Sequence, residues 1–486
     1  MIEYLLLAPL AAALVCYLLK DKRGIETVSV AGSLATLAGA AYLGYRVFSS
    51  GASIDEGLLY MDALSAYILG LVAVVGMLSV LYSIPYLGRE HREGEVSTVR
   101  LRNYHIFFHL FVFTMLLVAV SDNLGVMWIA IEGTTLASAY LVGFYDNEGA
   151  VEAAWKYLVI CSVGITLALL GTIVVYASSI SVLGEASDAL DWSTLMAHAS
   201  ELDPVLLKIA FILVLVGYGT KVGLAPMHTW LPDAHSQAPA PVSALLSGVL
   251  LNCALYGVLR FHLVLGGSAV GPGFSSGLLL LFGLLSLATA AAFIILARDY
   301  KRLLAYSSIE HMGIITIGFG FGGLGVVGGL FHMLNHALAK SLMFFGAGNI
   351  LQRLGTKEIA GVRGLGAAMP VTAALFLGGA LAITGCPPFS LFLSEFMVLA
   401  GGMESGQLFA LAVYVLLLAV IFGAFVYHIG GMVLGPSDRP RVRESKASLA
   451  IMVALLAIVV ILGLYMPEPL ASVLGQVEGL FSGGAP

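Results

Sequence analysis

Residues 217–243 read GYGTKVGLAPMHTWLPDAHSQAPAPVS, and their interpretation decides what kind of chain this is. The flanking residues are apolar enough for a helix. Pro226 and Pro232, however, lack the backbone N–H that a helix interior needs, so the helix is predicted to break at them. Lys221 stands one turn before the first break. The run AITGCPPFSLFLSEF at 382–396 repeats the arrangement: Gly385, Pro387 and Pro388 interrupt an apolar helix, and Glu395 follows two turns later. Both breaks lie in a chain of 486 residues that is 59% hydrophobic and only 11% charged, where soluble domains carry about 25% charge. That composition excludes a water-soluble enzyme, a nucleic-acid binder and a disordered protein. It predicts an all-α polytopic membrane protein. Backbone groups freed inside a bilayer need protein or water partners, so each broken helix implies a polar or hydrated cavity. Two such breaks in corresponding places mark an inverted-repeat transporter.

A spanning helix takes about 20 mostly apolar residues. About fourteen segments qualify, the first at 3–19 and the last at 447–466, with the longest loops at 88–103 and 180–203. They group into N-terminal helices 1–3 (1–103), a first five-helix repeat (104–264), a second (273–434), and a last helix with its tail (447–486). Each repeat has its broken helix fourth of five. Because five is odd, the second repeat enters from the opposite side, so the pair is inverted. Cytoplasmic loops carry an excess of Lys and Arg. With both termini outside, the inner loops hold Lys20, Lys22, Arg23, Arg89, Arg92, Arg100, Arg102, Arg298, Lys301, Arg302, Arg353, Lys357, Arg363, Arg439, Arg441, Arg443 and Lys446. The outer loops hold acids instead, Glu185 and Asp191 among them. The N-terminal 23 residues start apolar and become charged afterwards, the reverse of a signal peptide, so they read as a retained first span. Cys16, Cys161, Cys253 and Cys386 lie in apolar runs without a CxxC pair, which excludes a zinc ribbon, a cysteine-ligated cluster and a disulfide scaffold.

Of the six remaining basic residues, Arg46, Lys208 and Arg260 fall near outer helix ends, where a long side chain snorkels to water. Lys156, Lys221 and Lys340 do not, and Glu132, Glu310 and Glu395 also lie inside spans. Charges at such depth are costly and usually face a polar interior. Together they predict an ion or proton path, with structural ion pairs between helices as the alternative. In GGLFHMLNHALAKSLMFFGAGN (328–349), His332, His336 and Lys340 recur every four residues and share one helix face. Glu310 and His311 come from the neighbouring span. Histidine gains and loses a proton near neutral pH, so such a face suits proton relay. A HxxxH pair can also bind zinc or haem, but no third ligand is evident and Lys340 would repel a cation, so no metal is expected. Packed structural histidines are the other alternative. His105 and His109 share a face nearer the inner side and are weaker candidates for an inlet. No phosphate loop, nucleophile elbow or paired loop carboxylates are present, so no catalytic or cofactor-binding site is expected in this chain.

These motifs resemble a known family. GTKVGLAPMHTWLPDAHSQAPAPVSALLSG (219–248), ARDYKRLLAYSSIEHMG (297–313) and FHMLNHALAKSLMFFGAG (331–348) are similar to signatures of the antiporter-like subunits of respiratory complex I and the Mrp Na⁺/H⁺ antiporters. The likeness covers roughly residues 60–435. VSALLSGVLLNCALYG, LAKSLMFFGAGNI and ITGCPPFSLFLSEF look most like the F component of hydrogenase-4 and formate-hydrogenlyase-type complexes. The resemblance implies two linked half-channels and a proton path along the membrane midplane. It implies that Glu132, in MWIAIEGTT, pairs with Lys221 and that Lys156, in AAWKYLV, modulates the pair. His332, His336 and Lys340 would form the central axis, and Glu395 the far site. One departure stands out: Asn252 occupies a position that is lysine in several relatives, and an amide orients water but does not hold the proton. About 20 residues follow the last span, too few for the long lateral helix of the largest antiporter-like subunit.

The implied function is proton translocation in a redox-driven complex of the prokaryotic cytoplasmic membrane. Its partners would be other antiporter-like subunits and a peripheral hydrogenase-like arm carrying [NiFe] and iron–sulfur clusters. The alternative is an Mrp-type subunit exchanging Na⁺ for protons without a redox partner. A non-transporting scaffold has no reason to keep the buried charges.

Overall fold

Polar residues that cap helix ends set the limits of most elements. In the computed structural model, which describes residues 1–184, 186–435 and 439–483, the side chains of Asp21, Asp62, Ser97, Asn123, Asn147, Asp203 and Asp299 each accept a backbone N–H from the first turn of the helix they precede. Glu185 lies outside the described residues. The helices are α1 (Ile2–Leu18), α2 (Lys22–Ser50), α3 (Ala63–Arg92), α4 (Thr98–Val120), α5 (Leu124–Val142) and α6 (Glu148–Leu183). Next come α7 (Pro204–Val222), α8 (Leu231–Gln237), α9 (Ala240–Gly267), α10 (Gly273–Ile295), α11 (Tyr300–Phe321) and α12 (Leu324–Leu354). The last are α13 (Pro370–Ile383), α14 (Ser390–Glu404), α15 (Leu408–Leu434), α16 (Lys446–Leu464) and α17 (Glu468–Phe481). A small hairpin pairs Ile54–Asp55 with Tyr60–Met61.

Among the described residues, ten helices are long and apolar enough to cross a membrane, or eleven if the bent pair Ala360–Ala368 and Pro370–Ile383, at 116°, is one span. Helices α11 and α12 fall outside that count; their polar residues lower the hydropathy. They are nevertheless among the most buried, and with α9 they form the centre of the bundle. The predicted loop at 88–103 is much shorter than expected, because α3 runs on to Arg92 and α4 begins at Thr98. The loop at 180–203 holds a short helix, Trp192–Ala197, pinned to the bundle by Trp192 Nε1 donating to the Arg260 carbonyl at 3.1 Å. Amphipathic α17 lies back across the bundle, where Gln476 donates to the Phe48 carbonyl at 3.1 Å and Phe481 packs on His262 and Phe319.

Arg260 does not snorkel to water. It is buried in a bidentate ion pair with Asp62, at 2.6 and 2.9 Å, between the rings of Trp192 and Tyr256. The sequence could place it near a helix end but could not show that the cap of α3 faces it.

The two breaks position the polar residues. Helix α7 ends at Gly223, whose φ of 81° is left-handed. The chain then turns through Pro226 and restarts as α8. Pro232 was expected to break the helix; it sits instead in the first turn of α8, where its missing N–H leaves no bond unmade. The freed groups find partners inside the protein: Trp230 Nε1 donates to the Thr220 carbonyl at 2.8 Å, and Ala225 N–H donates to Ser286 Oγ at 2.9 Å. The second break, 384–389, holds Gly385 (φ 66°), Pro387 and Pro388 as expected. There Asn335 Nδ2 takes up the Ser390 carbonyl at 3.1 Å.

Helices α6 and α7 cross at small residues, as membrane helices do where backbones approach closely. A Cβ on Gly217 would stand 2.5 Å from the Ala168 amide nitrogen and 2.7 Å from the Gly164 carbonyl oxygen, so backbone would have to move. Gly217→Ala is therefore expected to destabilise the chain by about 1–3 kcal/mol. Gly423→Ala, at a site with open space, should have no such effect. Thermal unfolding in detergent separates the two. Equal stability would show that the crossing relaxes freely.

Candidate functional site

Lys221 occupies the last turn of α7, where the carbonyl end of the helix favours a cation. It is fully buried. Its ammonium donates to Thr135 Oγ1 at 2.8 Å and to the Tyr157 hydroxyl, and it lies over the Tyr157 ring. Glu132 does not pair with it directly. Thr135 Oγ1 stands 3.5 Å from Glu132 Oε2, so one hydroxyl bridges the two, and Ser162 Oγ donates to Glu132 Oε1 at 2.7 Å. Ser138 and Tyr157 hydroxyls meet at 2.7 Å and complete the cluster.

Lys156 is elsewhere. It is half exposed and pairs with Glu152 at 2.5 Å and Asp233 at 3.2 Å, and Asp233 also pairs with Arg302 at 2.8 Å. These four side chains line an open cavity of about 280 Å³. The sequence placed Lys156 inside a span. The long amino-terminal extension of α6 carries it instead to a polar vestibule, one residue from Tyr157 but on another face. Lys301 and Lys357, expected in inner loops, reach carbonyls at the end of α8: Lys301 Nζ donates to the Ala238 oxygen at 2.7 Å and Lys357 Nζ to that of Ser236 at 3.0 Å. Burial holds the Lys357 ammonium below its ordinary pKa.

The central axis comes from α11, α12 and α14. His311 Nδ1 and His332 Nε2 are 2.8 Å apart, and His332 Nδ1 meets Ser394 Oγ at 2.9 Å. The His311 and His336 rings are 5.1 Å apart. Lys340 donates to the Leu304 carbonyl at 2.7 Å; Glu310 is the carboxylate whose charge reaches it, without a contact ion pair. Glu395 is half buried, with its carboxylate against Gly385 where a Cβ would overlap it. His311, His332 and Glu395 place one nitrogen or oxygen each within 4.8 Å of the others; this group takes His332 of the HxxxH pair but not His336, so it is a different ligand set from the one the spacing offered. The 2.8 Å contact between the imidazoles is a hydrogen bond, which a metal between them would have to replace.

Several buried polar atoms along this axis have no hydrogen-bond partner among the described residues: His235 Nε2, His311 Nε2, both ring nitrogens of His336, Ser307 Oγ, Asn335 Oδ1 and Asn252 Oδ1. Buried polar groups are normally satisfied by protein or ordered water. Each of them is therefore a place where water would sit. Asn252 turns its amide onto its own helix, donating to the Gly248 carbonyl at 2.8 Å, and leaves its oxygen free. No hydrogen bond among the described residues joins the Lys221 cluster to the axis. His105 and His109 close on Ser29 of α2, at 2.8 and 2.9 Å, and are also unlinked to the axis.

The sequence reading missed Thr135, Ser138, Tyr157, His235 and Ser394. Thr135 was recoverable from its i, i+3 spacing to Glu132. Tyr157 and Ser138 carried no signal, because only the crossing of α5, α6 and α7 brings them to Lys221.

Residues 121–422 match the family described as NADH:quinone oxidoreductase/Mrp antiporter, transmembrane. The chain is 43% identical over 374 residues to the hydrogenase-4 component F homolog of Methylacidiphilum infernorum, covering 76% of this chain and 77% of that one. It is 31% identical over 456 residues to NADH-quinone oxidoreductase subunit N of Desulforudis audaxviator, covering 88% and 86%. Its fold matches a chain of the membrane-bound sulfane sulfur reductase, an archaeal respiratory membrane complex, with a TM-score of 0.88 at 24% identity over 99% of this chain and 97% of that one.

Proposed function

We propose, from the premise that the chain belongs to the NADH:quinone oxidoreductase/Mrp antiporter transmembrane family, that it is the proton-translocating subunit of a redox-driven membrane complex of the hydrogenase type. The observation that carries this reading is the series of titratable side chains, buried at Lys221, His336 and His332 and half buried at Glu395, interleaved with polar atoms that call for water.

Lys221 is the gate of this line. Glu132 reaches Lys221 through Thr135, and its retraction would weaken the hold of Lys221 on its proton, because the attraction between unit charges falls with their separation. The proton then passes through water to His235 and His336, along the His311–His332 hydrogen bond, and out by Ser394 and Glu395. Lys340 and Glu310 set the charge of the centre. The vestibule of Glu152, Lys156, Asp233 and Arg302 gathers protons on the lysine- and arginine-rich side. Asn252 serves as a water-orienting group between the two halves.

On this reading the helices make fourteen spans, with α7–α8 and α13–α14 as the broken helices of two inverted five-span repeats, 104–264 and 273–434. Both termini face outward from a prokaryotic cytoplasmic membrane. The redox chemistry and its [NiFe] and iron–sulfur centres belong to partner subunits. The 43% identity to a hydrogenase-4 component F homolog supports this placement over an Mrp-type Na⁺/H⁺ antiporter.

Purification of the native complex tests it. Recovery with a [NiFe] subunit, and proton uptake into vesicles that depends on H₂ turnover, is the expected result. Recovery only with small membrane subunits, with Na⁺/H⁺ exchange and no redox activity, would overturn it in favour of the antiporter.

A further inference from the structure

A second polar cavity, remote from the proton line, lies where α3 and α12 end and α13 and α16 begin. Its volume is about 190 Å³, and Arg89, Arg92 and Arg353 line it, with Glu444 as its one acid. The Glu444 carboxylate is already engaged: it accepts the Val371 and Thr372 N–H groups at 3.2 and 2.7 Å and so caps α13. Arg89 Nε donates to Glu93 at 2.7 Å, but Arg89 Nη1 is buried and has no partner among the described residues. Arg92 and Arg353 make no hydrogen bond or ion pair among the described residues. Arg353 lies within electrostatic reach of Arg89 and Arg443, and of the carboxylates of Glu93 and Glu444. Glu93 and Glu444 answer part of this charge, but both carboxylates already have partners, and the buried Arg89 Nη1 is left with none among the described residues, so the lining has donors to spare for an added anion. Ser445 and Ser448, at the start of α16, complete the lining; Ser445 Oγ caps that helix by accepting the Ser448 N–H at 3.4 Å.

We infer that this cavity binds a phosphate group, and that the group is the headgroup of an anionic phospholipid of the inner leaflet. The cavity is large enough for a phosphate and its ester oxygens and too small for an acyl chain. It lies at helix ends on the face that collects the lysine and arginine loops, where basic pockets between spans meet lipid headgroups. Guanidinium forks match phosphate oxygens in pairs, which fits the choice of arginine over lysine at all three positions.

Native mass spectrometry of the purified full chain tests this, with cardiolipin, phosphatidylcholine or inorganic phosphate added separately. Wild type should retain one cardiolipin through washes that remove phosphatidylcholine. Arg89→Gln with Arg353→Gln should weaken retention by roughly 30-fold, at one juxtamembrane arginine's worth per substitution. Arg298→Gln with Arg363→Gln, in a separate cavity on the same face, should leave retention unchanged. Arg353→Lys keeps the charge and the fold but loses the fork, and should lie between. Displacement of the lipid by equimolar inorganic phosphate would keep the phosphate site and assign it to the free anion. Equal cardiolipin retention by wild type and the Arg89/Arg353 variant would overturn the proposal.

Discussion

Lys221→Met is expected to reduce redox-coupled proton translocation by about 100-fold or more, the loss typical of removing a positioned proton carrier, while the complex still assembles. Methionine fills most of the buried volume of the lysine stem, so packing against Tyr157 is kept and the proton-holding group is lost. Thr135 and Tyr157 then lose a charged donor but keep each other's neighbourhood through Ser138. Thr135→Val is expected to act in the same direction with a smaller effect, because it removes only the bridge between Lys221 and Glu132. Vesicle acidification normalised to redox turnover measures both. A Lys221→Met rate within twofold of wild type would mean that protons bypass α7 altogether. Lys156→Met provides the contrast: its salt bridges are half exposed and its place is the vestibule, so the loss should be modest.

Asp62→Ala is expected to cost about 3–5 kcal/mol of stability, because it strands a buried guanidinium. Arg260 pairs with Asp62, donates to Ser65 Oγ at 2.7 Å and lies between two rings, and both members of the pair are about 3% exposed. Asp62 also accepts the Ser65 N–H at 2.9 Å, so the α3 cap is lost with it. The pair joins α3 to α9, and α9 carries Asn252 and packs Gly248 against Ala337, beside His336. Damage should therefore spread to the proton line. The double variant Asp62→Leu/Arg260→Met, which removes both charges, should recover most of the stability. Thermal unfolding of the three proteins decides. A single variant as stable as wild type would show that water reaches Arg260.

The long apolar runs, the two proline-bearing breaks and the i, i+4, i+8 face of His332, His336 and Lys340 were all legible along the chain. Each is a local property: hydropathy over one span, a missing N–H, or helix periodicity. The misplacements were of another kind. Lys156 looked intramembrane because its span is apolar, but α6 is long enough to carry it out to Asp233. Arg260 looked like a snorkelling residue because it lies near a helix end, yet the cap of another helix closes over it. Pro232 looked like a breaker and instead starts a helix. In each case the charge or ring was identified correctly and its neighbour was not.

By itself, then, the sequence determined that this is a helical membrane chain, where its helices fail, and which titratable groups share the central helix face, because hydropathy and backbone chemistry act over one or two turns. Only the tertiary structure decided that Thr135 stands between Lys221 and Glu132, that His311 bonds His332, that Ser394 and Glu395 complete that end, and that three arginines share one cavity. Apart from Thr135 with Glu132 and Arg89 with Arg92, each three residues apart, those contacts join residues from 21 to 264 positions apart, and they depend on how helices cross, which is set by small residues such as Gly217 and not by the polar groups themselves.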